Sequence, residues 1–394
     1  MKLAIQIPCY NEEETLPQTL DDLPRPEHIN GVDEIVVVVI DDGCRDRTVE
    51  VAREWGMRNK VPMVIAHHTR NRGLAAAFQT GLNTSLSLDA DIIVNTDADN
   101  QYPGQSIPEL VQPIVLRQAD MVIADRQTDL IEHFSFVKKK FQRLGSMAVR
   151  IFSGSTVPDA VSGFRAFSRE TALTLNVVTR YTYTVETIFQ ASKKNLAITS
   201  IPIFTNPVTR ESRLVKGVWN YVKRMGATIV RIYAMHEPLK AFFYFSIPFF
   251  LVGAFAVGRF LWFTVAEHNG SIGHIQSLLL GSASLIIGFL IMLFGLIADL
   301  ISNNRRLVED TLFRVKKMEF EMDKQKTRET DLLDEIRQLR ADLGITRTTV
   351  PVPTPSTIAN GNGNGNGNGQ SKPKVASLRG VTRVEEIEVE SIKE

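Results

Sequence analysis

The sequence predicts an α/β fold with a mostly parallel, Rossmann-like sheet, followed by a two-helix membrane hairpin and a C-terminal helical and disordered tail. Short apolar runs alternate with helix-like stretches over residues 1–212. Two apolar runs, at 241–262 and 276–298, are each close to the roughly 20 residues that cross a bilayer. An Asn-Gly repeat at 360–369 cannot form a core. A chain of 394 residues has room for one large domain and these additions.

The expected strands are the apolar runs at 3–8, 34–40, 63–67 and 91–96, because strands covered on both faces of a parallel sheet are almost continuously apolar. Helices are expected between them, as at 72–86, where apolar side chains recur at helical spacing. Ligands of such sheets bind beyond the carboxyl ends of the strands. Polar clusters that follow strands are therefore the candidate functional residues.

Charge and cysteine content exclude some classes of protein. The formal net charge of +1 gives no overall attraction to nucleic acid. Cys9 and Cys44 each stand beside a polar cluster and form no bridge framework, which is typical of a reducing compartment. The N-terminal apolar run is short and is followed at once by acidic residues, unlike a secretory signal. We therefore expect residue 1 to stay in the cytosol.

Membrane association is expected at two kinds of segment. Basic residues alternate with bulky apolar ones at 133–152 and 213–237, which favours amphipathic helices lying in the membrane interface, or alternatively helices packed on the sheet. The apolar pair between 241 and 301 predicts two transmembrane helices. Its flanks carry Lys240, Arg305 and further lysines and arginines, whereas the loop 266–275 contains neither lysine nor arginine. The positive-inside rule then places residues 1–212 and the C-terminus in the cytoplasm, as in a multi-pass cell-membrane protein.

The C-terminal region is predicted to have two parts. Residues 305–343 are rich in Glu, Lys, Arg and Leu, with apolar residues at intervals of four, three and four from Leu332 to Leu343. This predicts a cytosolic helix, either a coiled coil that forms a homo-oligomer or a lone solvated helix. Residues 344–394 are expected to form a flexible linker and an acidic tail.

Acidic clusters follow the first two strands. Tyr10 and Glu12 can stack on a base and accept a hydrogen bond from it or from a ribose, although acids at this position can also merely complement a helix dipole. Asp41 and Asp42 can likewise hold base and ribose. Asp46 is expected to cap the helix that follows.

A third cluster, Asp97, Asp99 and Gln101, follows the fourth strand. Carboxylate and amide oxygens suit Mg²⁺ or Mn²⁺, and a diphosphate would complete the shell. The alternative is an ordinary acid-rich turn, but acidic clusters at three strand ends disfavour it.

Later clusters carry arginines. A Ser-Gly step separates Asp159 from Arg165 and can bring both to an anionic acceptor. Guanidinium groups before the second basic stretch can neutralise a diphosphate or a lipid phosphate, or contact headgroups only: Arg210 and Arg213, with Arg126 as an upstream companion.

Six stretches occur in order over about residues 1–220: IPCYNEEETLP, VIDDGCRDRT, NRGLAAAFQTG, NTDADNQYPG, DAVSGFRAFSRE and RESRLVKG. Together they resemble the family 2 glycosyltransferases of the GT-A fold, in particular the polyprenyl-phosphate group that includes dolichol-phosphate mannose synthases and bacterial undecaprenyl-phosphate glucosyltransferases. The resemblance implies a GT-A nucleotide-sugar-binding domain.

The resemblance also implies roles for single positions. The nucleotide-sugar positions are Pro8, Tyr10, Glu12, Asp41, Asp42, Asp97, Ala98 and Asp99. The metal positions are Asp97, Asp99 and Gln101. The phosphate and acceptor positions are Arg126, Arg210, Ser212 and Arg213, and the catalytic positions are Asp99, Asp159 and Arg165. The chain departs from the family pattern at Cys44, Val161 and Arg213, where serine, threonine and lysine are usual.

The implied function is metal-dependent transfer of a hexose, such as mannose or glucose, from a GDP- or UDP-sugar to dolichyl or undecaprenyl phosphate. A phosphate monoester is largely a dianion at neutral pH, so it needs charge screening and in-line placement more than a strong base. A single displacement inverts the anomeric carbon. The rival functions are a processive polysaccharide synthase, whose Gln-x-x-Arg-Trp stretch is absent, a transferase with another membrane acceptor, and a non-catalytic membrane scaffold.

Overall fold

A computed structural model describes residues 1–127, 157–177, 183–207, 237–266 and 275–342, together with 147, 149–150, 154, 226–227, 231, 233–234, 375–376 and 382–387. The strands are β1 (Lys2–Cys9), β2 (Glu34–Asp41), β3 (Met63–His68), β4 (Ile92–Asn95), β5 (Met121–Asp125), β6 (Arg165–Ser168), β7 (Ile198–Pro202), β8 (Val375–Ala376) and β9 (Thr382–Ile387). The α-helices are α1 (Leu16–Asp21), α2 (Thr48–Asn59), α3 (Leu74–Ser87), α4 (Ile107–Val115), α5 (Arg169–Thr174), α6 (Thr184–Lys193), α7 (Pro238–Ala266) and α8 (Ile275–Asp342).

All described strands form one sheet in the order β7-β5-β6-β4-β1-β2-β3-β9-β8. β4, β1, β2 and β3 pair in parallel, which confirms the expectation drawn from their apolar sequences. β5 and β7 are also parallel, but β6 lies between β4 and β5 and runs antiparallel to both. The reversal brings the start of β6, at Arg165, next to the end of β4, at Asn95. This places the segment that precedes β6 at the edge where β4 and β5 end.

Helices cover both faces of the sheet, as in other α/β folds. Alternate side chains of β2 enter opposite cores, with Val36, Val38 and Ile40 on one face and Ile35, Val37 and Val39 on the other. The first core includes buried residues of α3, α5 and α6, and the second includes those of α1, α2 and α4. Two-sided burial explains why the strands carry so few polar residues before their carboxyl ends.

Two helices, Pro238–Val265 within α7 and Ile275–Arg340 within α8, are long and apolar enough to cross a membrane. They pack closely through glycines, because a Cβ atom on Gly281 would meet Val257 N at 3.0 Å and Gly253 O at 3.1 Å. Such close approach of small residues is the usual packing device of helices in lipid. The polar helix predicted at 305–343 is not separate from the second span. Because residues 299–342 contain neither glycine nor proline, α8 continues unbroken to Asp342.

The tail differs in part from the expected flexible segment 344–394. Within it, β9 pairs antiparallel with β3, and β8 pairs with β9. β3 would otherwise be an edge strand with unpaired backbone groups, and the added strand satisfies them. The amphipathic stretches expected at 133–152 and 213–237 lie almost entirely outside the described residues.

Candidate active site

The loops after β1, β2 and β4 emerge at one edge of the sheet, as their parallel pairing requires. Cys9 at the end of β1 lies opposite Asp41 at the end of β2, and Asp42 N donates to Cys9 O at 3.0 Å. On the other side of β1, Thr96 N beyond β4 donates to Gln6 O at 3.1 Å. Three of the predicted clusters are therefore brought together, as the sequence indicates.

The loop after β1 holds Tyr10 and Glu12 in different environments. Pro8 lies within β1 opposite Ile40, while Tyr10 beyond the strand is 40% exposed. Glu12 is anchored at both ends: its backbone N donates to Thr48 Oγ1 at 2.8 Å, and its Oε2 accepts from Thr15 Oγ1 at 2.9 Å. A fixed carboxylate thus stands beside an accessible aromatic ring.

Two histidines that sequence reasoning missed hold the carboxylates at the end of β2. His67 Nδ1 lies 2.9 Å from Asp41 Oδ2, and His68 Nδ1 lies 2.7 Å from Asp42 Oδ1. The pairs arise because β2 and β3 are in register, with Asp41 directly opposite His67. The available signal was two adjacent acids ending one strand and two adjacent histidines ending the next.

Asp41 and Asp42 differ in what else they bind. Burial acts to raise the pKa of Asp41, but hydrogen bonds from His67 and from the backbone of Cys44 outweigh it and hold that pKa below its ordinary value. Asp42 is only 3% exposed, and its carboxylate also accepts from Arg72 N at 2.8 Å and Gly73 N at 2.9 Å. The oxygens of Asp42 thus fix the start of α3, and the nucleotide contact expected of this residue stays a prediction.

A polar cavity of about 340 Å³ opens between the loops after β1 and β2. Asp46 borders it and, as predicted, serves the start of α2, because its Oδ1 accepts from Thr48 N at 3.1 Å. The cavity is mostly acidic, which favours hydrogen-bond donors over anions. Its lining residues are Asn11, Glu12, Glu13, Glu14, Thr15, Arg45 and Asp46.

The turn after β4 brings two carboxylates together. Asp97 and Asp99 are both partly buried, and Asp99 Oδ1 accepts from Gln101 N at 3.1 Å. Burial, together with the negative charge of Asp99, raises the pKa of Asp97 to about 7. The charge of Arg126 opposes this rise. Ala98 between them is buried in the core, so any ligand contact from this residue involves its backbone.

Arg126 follows β5 and forms a two-point ion pair with Asp159. Arg126 Nε lies 2.7 Å from Asp159 Oδ2, and Nη2 lies 3.0 Å from Oδ1. Burial acts to raise the pKa of Asp159, but the charge and hydrogen bonds of Arg126 outweigh it and lower that pKa. Asp159 is therefore ionised at neutral pH, and the pair presents an oriented guanidinium next to the Asp97 turn.

Arg165 lies in the protein interior, not at an open acceptor site, which corrects the expected catalytic role. Its side chain is completely buried and donates to Ser162 O at 2.7 Å and Ala160 O at 2.9 Å. On the side of α6, it donates to Thr184 O and Thr187 Oγ1, each at 2.7 Å. Burial lowers the pKa of Arg165 to about 10, so it stays charged at neutral pH. The guanidinium thus holds residues 160–162, which precede β6, against α6.

A second set of bonds fixes the same segment against the Asp97 turn. Asn95 Nδ2 donates to Gly163 O and to Tyr183 Oη, both at 2.9 Å, and Gly163 N donates to Tyr102 Oη at 3.2 Å. A Cβ atom on Gly163 would lie 2.9 Å from Tyr183 Oη and 3.4 Å from an Asp97 oxygen. Only glycine lets these groups approach so closely.

The remaining predicted residues, Arg210, Ser212 and Arg213, lie outside the described residues. Asn206, four positions before Arg210, is described and bound to the Asp97 turn. Its N donates to Gln101 O at 3.0 Å, and its Nδ2 donates to Asn100 O at 2.9 Å. The chain therefore leaves the described domain directly from the candidate active site.

Comparison with known proteins agrees with this geometry. The profile of glycosyl transferase family 2 matches residues 4–174. Uncharacterized protein MJ1222 of Methanocaldococcus jannaschii is 30% identical over 213 residues, which are 52% of this chain and 81% of that protein. The UDP-N-acetylglucosamine–dolichyl-phosphate N-acetylglucosaminyltransferase of Methanococcus voltae is 29% identical, covering 50% and 83% of the two chains. The undecaprenyl-phosphate mannosyltransferase of Micrococcus luteus is also 29% identical, covering 55% and 89%.

Proposed function

This chain belongs to glycosyl transferase family 2, and we propose that it transfers a hexose from a nucleotide-sugar to a polyprenyl phosphate at the cytoplasmic face of a membrane. The observation that carries the proposal is the meeting of two charged pairs at one sheet edge, Asp97 with Asp99 and Arg126 with Asp159. Two of the similar proteins, the N-acetylglucosaminyltransferase and the mannosyltransferase, are named for a polyprenyl phosphate, which supports the acceptor. Two helices apolar enough to cross a membrane support the location.

The donor half of the site consists of Tyr10, Glu12, Asp41 and the pair Asp97 and Asp99. Tyr10 stacks on the base, and Glu12 and Asp41 accept hydrogen bonds from the base or the ribose. The neighbouring acidic cavity repels phosphates, so the diphosphate is directed toward Arg126. These contacts serve uridine and guanosine alike, and the donor is a UDP- or GDP-hexose.

The donor half also fits a divalent cation. Within the described residues, no group of three or more His, Cys, Asp or Glu side chains could hold a metal ion by itself. Asp97, Asp99 and Gln101 instead supply part of an oxygen shell, which is how Mg²⁺ is bound by one or two carboxylates and substrate phosphates. Burial and the negative charge of Asp99 raise the pKa of Asp97, and a bound divalent cation would favour the ionised form of both carboxylates. Bound Mg²⁺ or Mn²⁺ would neutralise the leaving diphosphate.

The acceptor half consists of Arg126 and residues 159–165. An acceptor phosphate binds the Arg126 guanidinium, and the ion pair with Asp159 keeps that guanidinium oriented. We propose Arg210, Ser212 and Arg213 as further phosphate-binding residues; Asn206, which precedes them in the sequence, is bound to the Asp97 turn. Arg165 acts as a positioning residue, because it holds residues 159–163 in place.

The reaction is a single displacement with inversion. An oxygen of the acceptor phosphate forms a bond to the anomeric carbon of the hexose. The bond from that carbon to the diphosphate oxygen breaks, and the nucleoside diphosphate leaves with the electron pair. The nucleophile is already a dianion, so the low pKa of Asp159, which makes it a poor base, is no obstacle. Arg126 reduces the repulsion between the two anions.

Placement in the membrane follows from the charge pattern. We propose that α7 and α8 form a transmembrane hairpin with the donor and acceptor halves and residues 305–394 on the cytoplasmic side. Leu332, Ile336 and Leu339 of α8 are exposed, which supports self-association of this helix.

A panel of UDP- and GDP-hexoses, assayed with and without Mg²⁺ or Mn²⁺, tests the proposal directly. We expect metal-dependent formation of a polyprenyl-phosphate hexose from one donor, with inverted configuration. Glycerol lipids and a polyprenyl alcohol serve as control acceptors, because they lack the phosphate dianion. Transfer to a control acceptor, with none to the phosphate, would overturn the assignment in favour of another membrane acceptor. Nucleotide-sugar binding without any transfer would favour a scaffold.

A further inference from the structure

The polar half of α8 lies against the catalytic domain. Phe313 and Phe320 pack against the core that α3, α5 and α6 cover. Two ion pairs flank them: Lys194 Nζ lies 3.3 Å from Asp310 Oδ1, and Lys324 binds Asp89. The four contacts lie along one helix beyond its apolar span, so α8 connects the membrane to the domain as a single rigid element.

The end of α6 is held by both membrane helices. Lys193, its last residue, forms an ion pair with Glu237, which immediately precedes α7. The next residue, Lys194, binds Asp310 of α8. Because Leu239 and Phe242 of α7 lie beside Gly295 of α8, these two lysines are close to the cytoplasmic ends of both spans. Since β7 follows these two lysines directly in the chain, it is the strand nearest the membrane.

Successive strands from β7 to β4 lie farther and farther from the bilayer along α8. Lys194, which precedes β7, contacts α8 at residue 310, whereas Asp89, which precedes β4, contacts it at residue 324. At a rise of about 1.5 Å per residue, these points are about 21 Å apart along the helix. β7 and β4 are three strand positions apart, or about 14 Å at a spacing of about 4.8 Å. The two distances are comparable, and β3 lies a further three positions away.

An independent feature lies at the same edge of the sheet. Phe204, just beyond β7, is 80% exposed. A single exposed apolar side chain is common on soluble proteins. Here Phe204 follows β7, the outermost strand, which the ion pairs bring closest to the lipid. An aromatic ring is stable there in the headgroup region.

We propose that the sheet stands edge-on to the bilayer, with β7 lowest, Phe204 in the headgroup layer and α8 as the strut that sets this orientation. Arg126, after β5, is then close to the lipid, and Tyr10, after β1, is farther into the cytosol. The acceptor half therefore faces the membrane and the donor half faces the nucleotide pool. This inference requires that α7 and α8 cross the membrane, but it does not depend on the identity of the sugar or the acceptor.

Photocrosslinking tests the orientation without any need for turnover. The full chain, in vesicles of phosphatidylethanolamine and phosphatidylglycerol, carries p-benzoylphenylalanine in place of Phe204 or, as a matched control, of Met57. Met57 is 57% exposed on α2, which packs near β3 at the far side of the sheet. We expect phospholipid adducts at position 204 and none above background at position 57. Equal labelling, or labelling at 57 alone, would overturn the proposal. Both positions are exposed, so neither change should prevent folding.

A second experiment tests the strut. The double variant Phe313→Glu/Phe320→Glu removes the apolar contacts with the domain, and Met318→Glu/Met322→Glu, at exposed positions of the same stretch of helix, is its control. We expect the first variant to lose the lipid adduct at 204 and to lower kcat/KM for a long-chain polyprenyl phosphate by about 10²-fold, as misplacement of a reacting group does. Its nucleotide-sugar binding and its kcat with a short, soluble prenyl phosphate should not change. Retention of the adduct, or equal loss of all activities, would overturn the role of α8.

Discussion

The donor and acceptor halves of the site are built differently, although they face each other across a few ångströms. The side chains of the donor half lie in loops that follow parallel strands, so each of its clusters comes directly after an apolar run. The acceptor half depends on β6, which runs in the opposite direction and begins at the active edge. Its functional segment, residues 159–164, therefore precedes its strand. One reversed strand thus changes where in the sequence a site residue is found.

The halves also differ in how their side chains are supported. Asp99 of the donor half is partly exposed, and its described hydrogen bond comes from its own turn. The acceptor segment is fixed from inside by the completely buried Arg165 and by Asn95, Tyr102 and Tyr183. We therefore expect donor-half substitutions to change activity alone, and acceptor-half substitutions to change stability as well.

The largest expected effect is on stability, from Arg165→Met. The substitution removes the guanidinium from three buried carbonyl oxygens, those of Ser162, Ala160 and Thr184. Because each such loss costs about 1–3 kcal/mol, we expect a decrease of about 3–5 kcal/mol in the free energy of unfolding, measured by urea denaturation of the detergent-solubilised protein. The exposed Arg58→Met on α2 is the control and should stay within about 0.5 kcal/mol. Equal stability of both variants would contradict the positioning role.

Next in size is the effect of Asp99→Ala on turnover. Loss of one oxygen ligand beside the leaving diphosphate should lower kcat by about 10²–10³-fold, while the melting temperature changes by no more than about 2 °C. Initial-rate kinetics and thermal unfolding measure the two quantities. Glu109→Ala, at an exposed position of α4, is the matched control. Full activity of Asp99→Ala with the metal requirement intact would contradict the assignment of Asp99 as a metal ligand.

The substitution Asp159→Asn tests how the stability of the acceptor half depends on pH. The pKa of Asp159 is lowered in the folded chain, so the ion pair contributes stability above the ordinary carboxyl pKa of about 3.9 and loses it as pH falls through the lower folded value. We expect the substitution to cost about 1–3 kcal/mol at neutral pH and to flatten the decline in stability below pH 3.9. Unfolding measured across pH 2.5–7 tests the sign. If stability declines below about pH 3.9 in the variant as it does in the unchanged protein, a group other than Asp159 causes the decline.

The smallest effect is expected from Gly163→Ala. The new methyl group meets Tyr183 Oη at 2.9 Å, which should cost about 1–2 kcal/mol. In a Tyr183→Phe background the hydroxyl is absent, and the cost of the same change should fall by at least about 0.5 kcal/mol. Strict additivity in this double-mutant cycle would mean that residues 163 and 183 are not packed as closely as described.

The position of the donor-half clusters at one sheet edge could be predicted from the sequence, because local rules suffice there. Continuous apolar runs indicate buried parallel strands, and acids after them must lie at one edge. Asp41, Asp97 and Asp99 were found in this way. The sequence did not separate Asp41 from Asp42, because burial of the second carboxylate depends on His68 and on the start of α3.

The acceptor half was less predictable because its geometry is non-local. The sequence indicated Asp159 and Arg165 as a pair that meets an anion. In the structure Asp159 instead pairs with Arg126, 33 positions away, and Arg165 joins residues 160–162 to α6. No spacing rule links an arginine to a helix that begins 19 positions later. The continuity of α8 could have been predicted, since residues 299–342 after the second apolar run contain neither glycine nor proline.

The unbroken α8 has a mechanical consequence. A helix that runs from the lipid to a contact at residue 324 is a lever whose arm, counted from residue 302, is about 33 Å long. Membrane spans tilt when the hydrocarbon layer is thinner than their apolar length, and a tilt of about 10° would swing the far contact sideways by about 6 Å. With α7 and α8 in the membrane as proposed, acyl-chain length would change the position of the catalytic domain, and rates in vesicles of graded thickness would measure the effect.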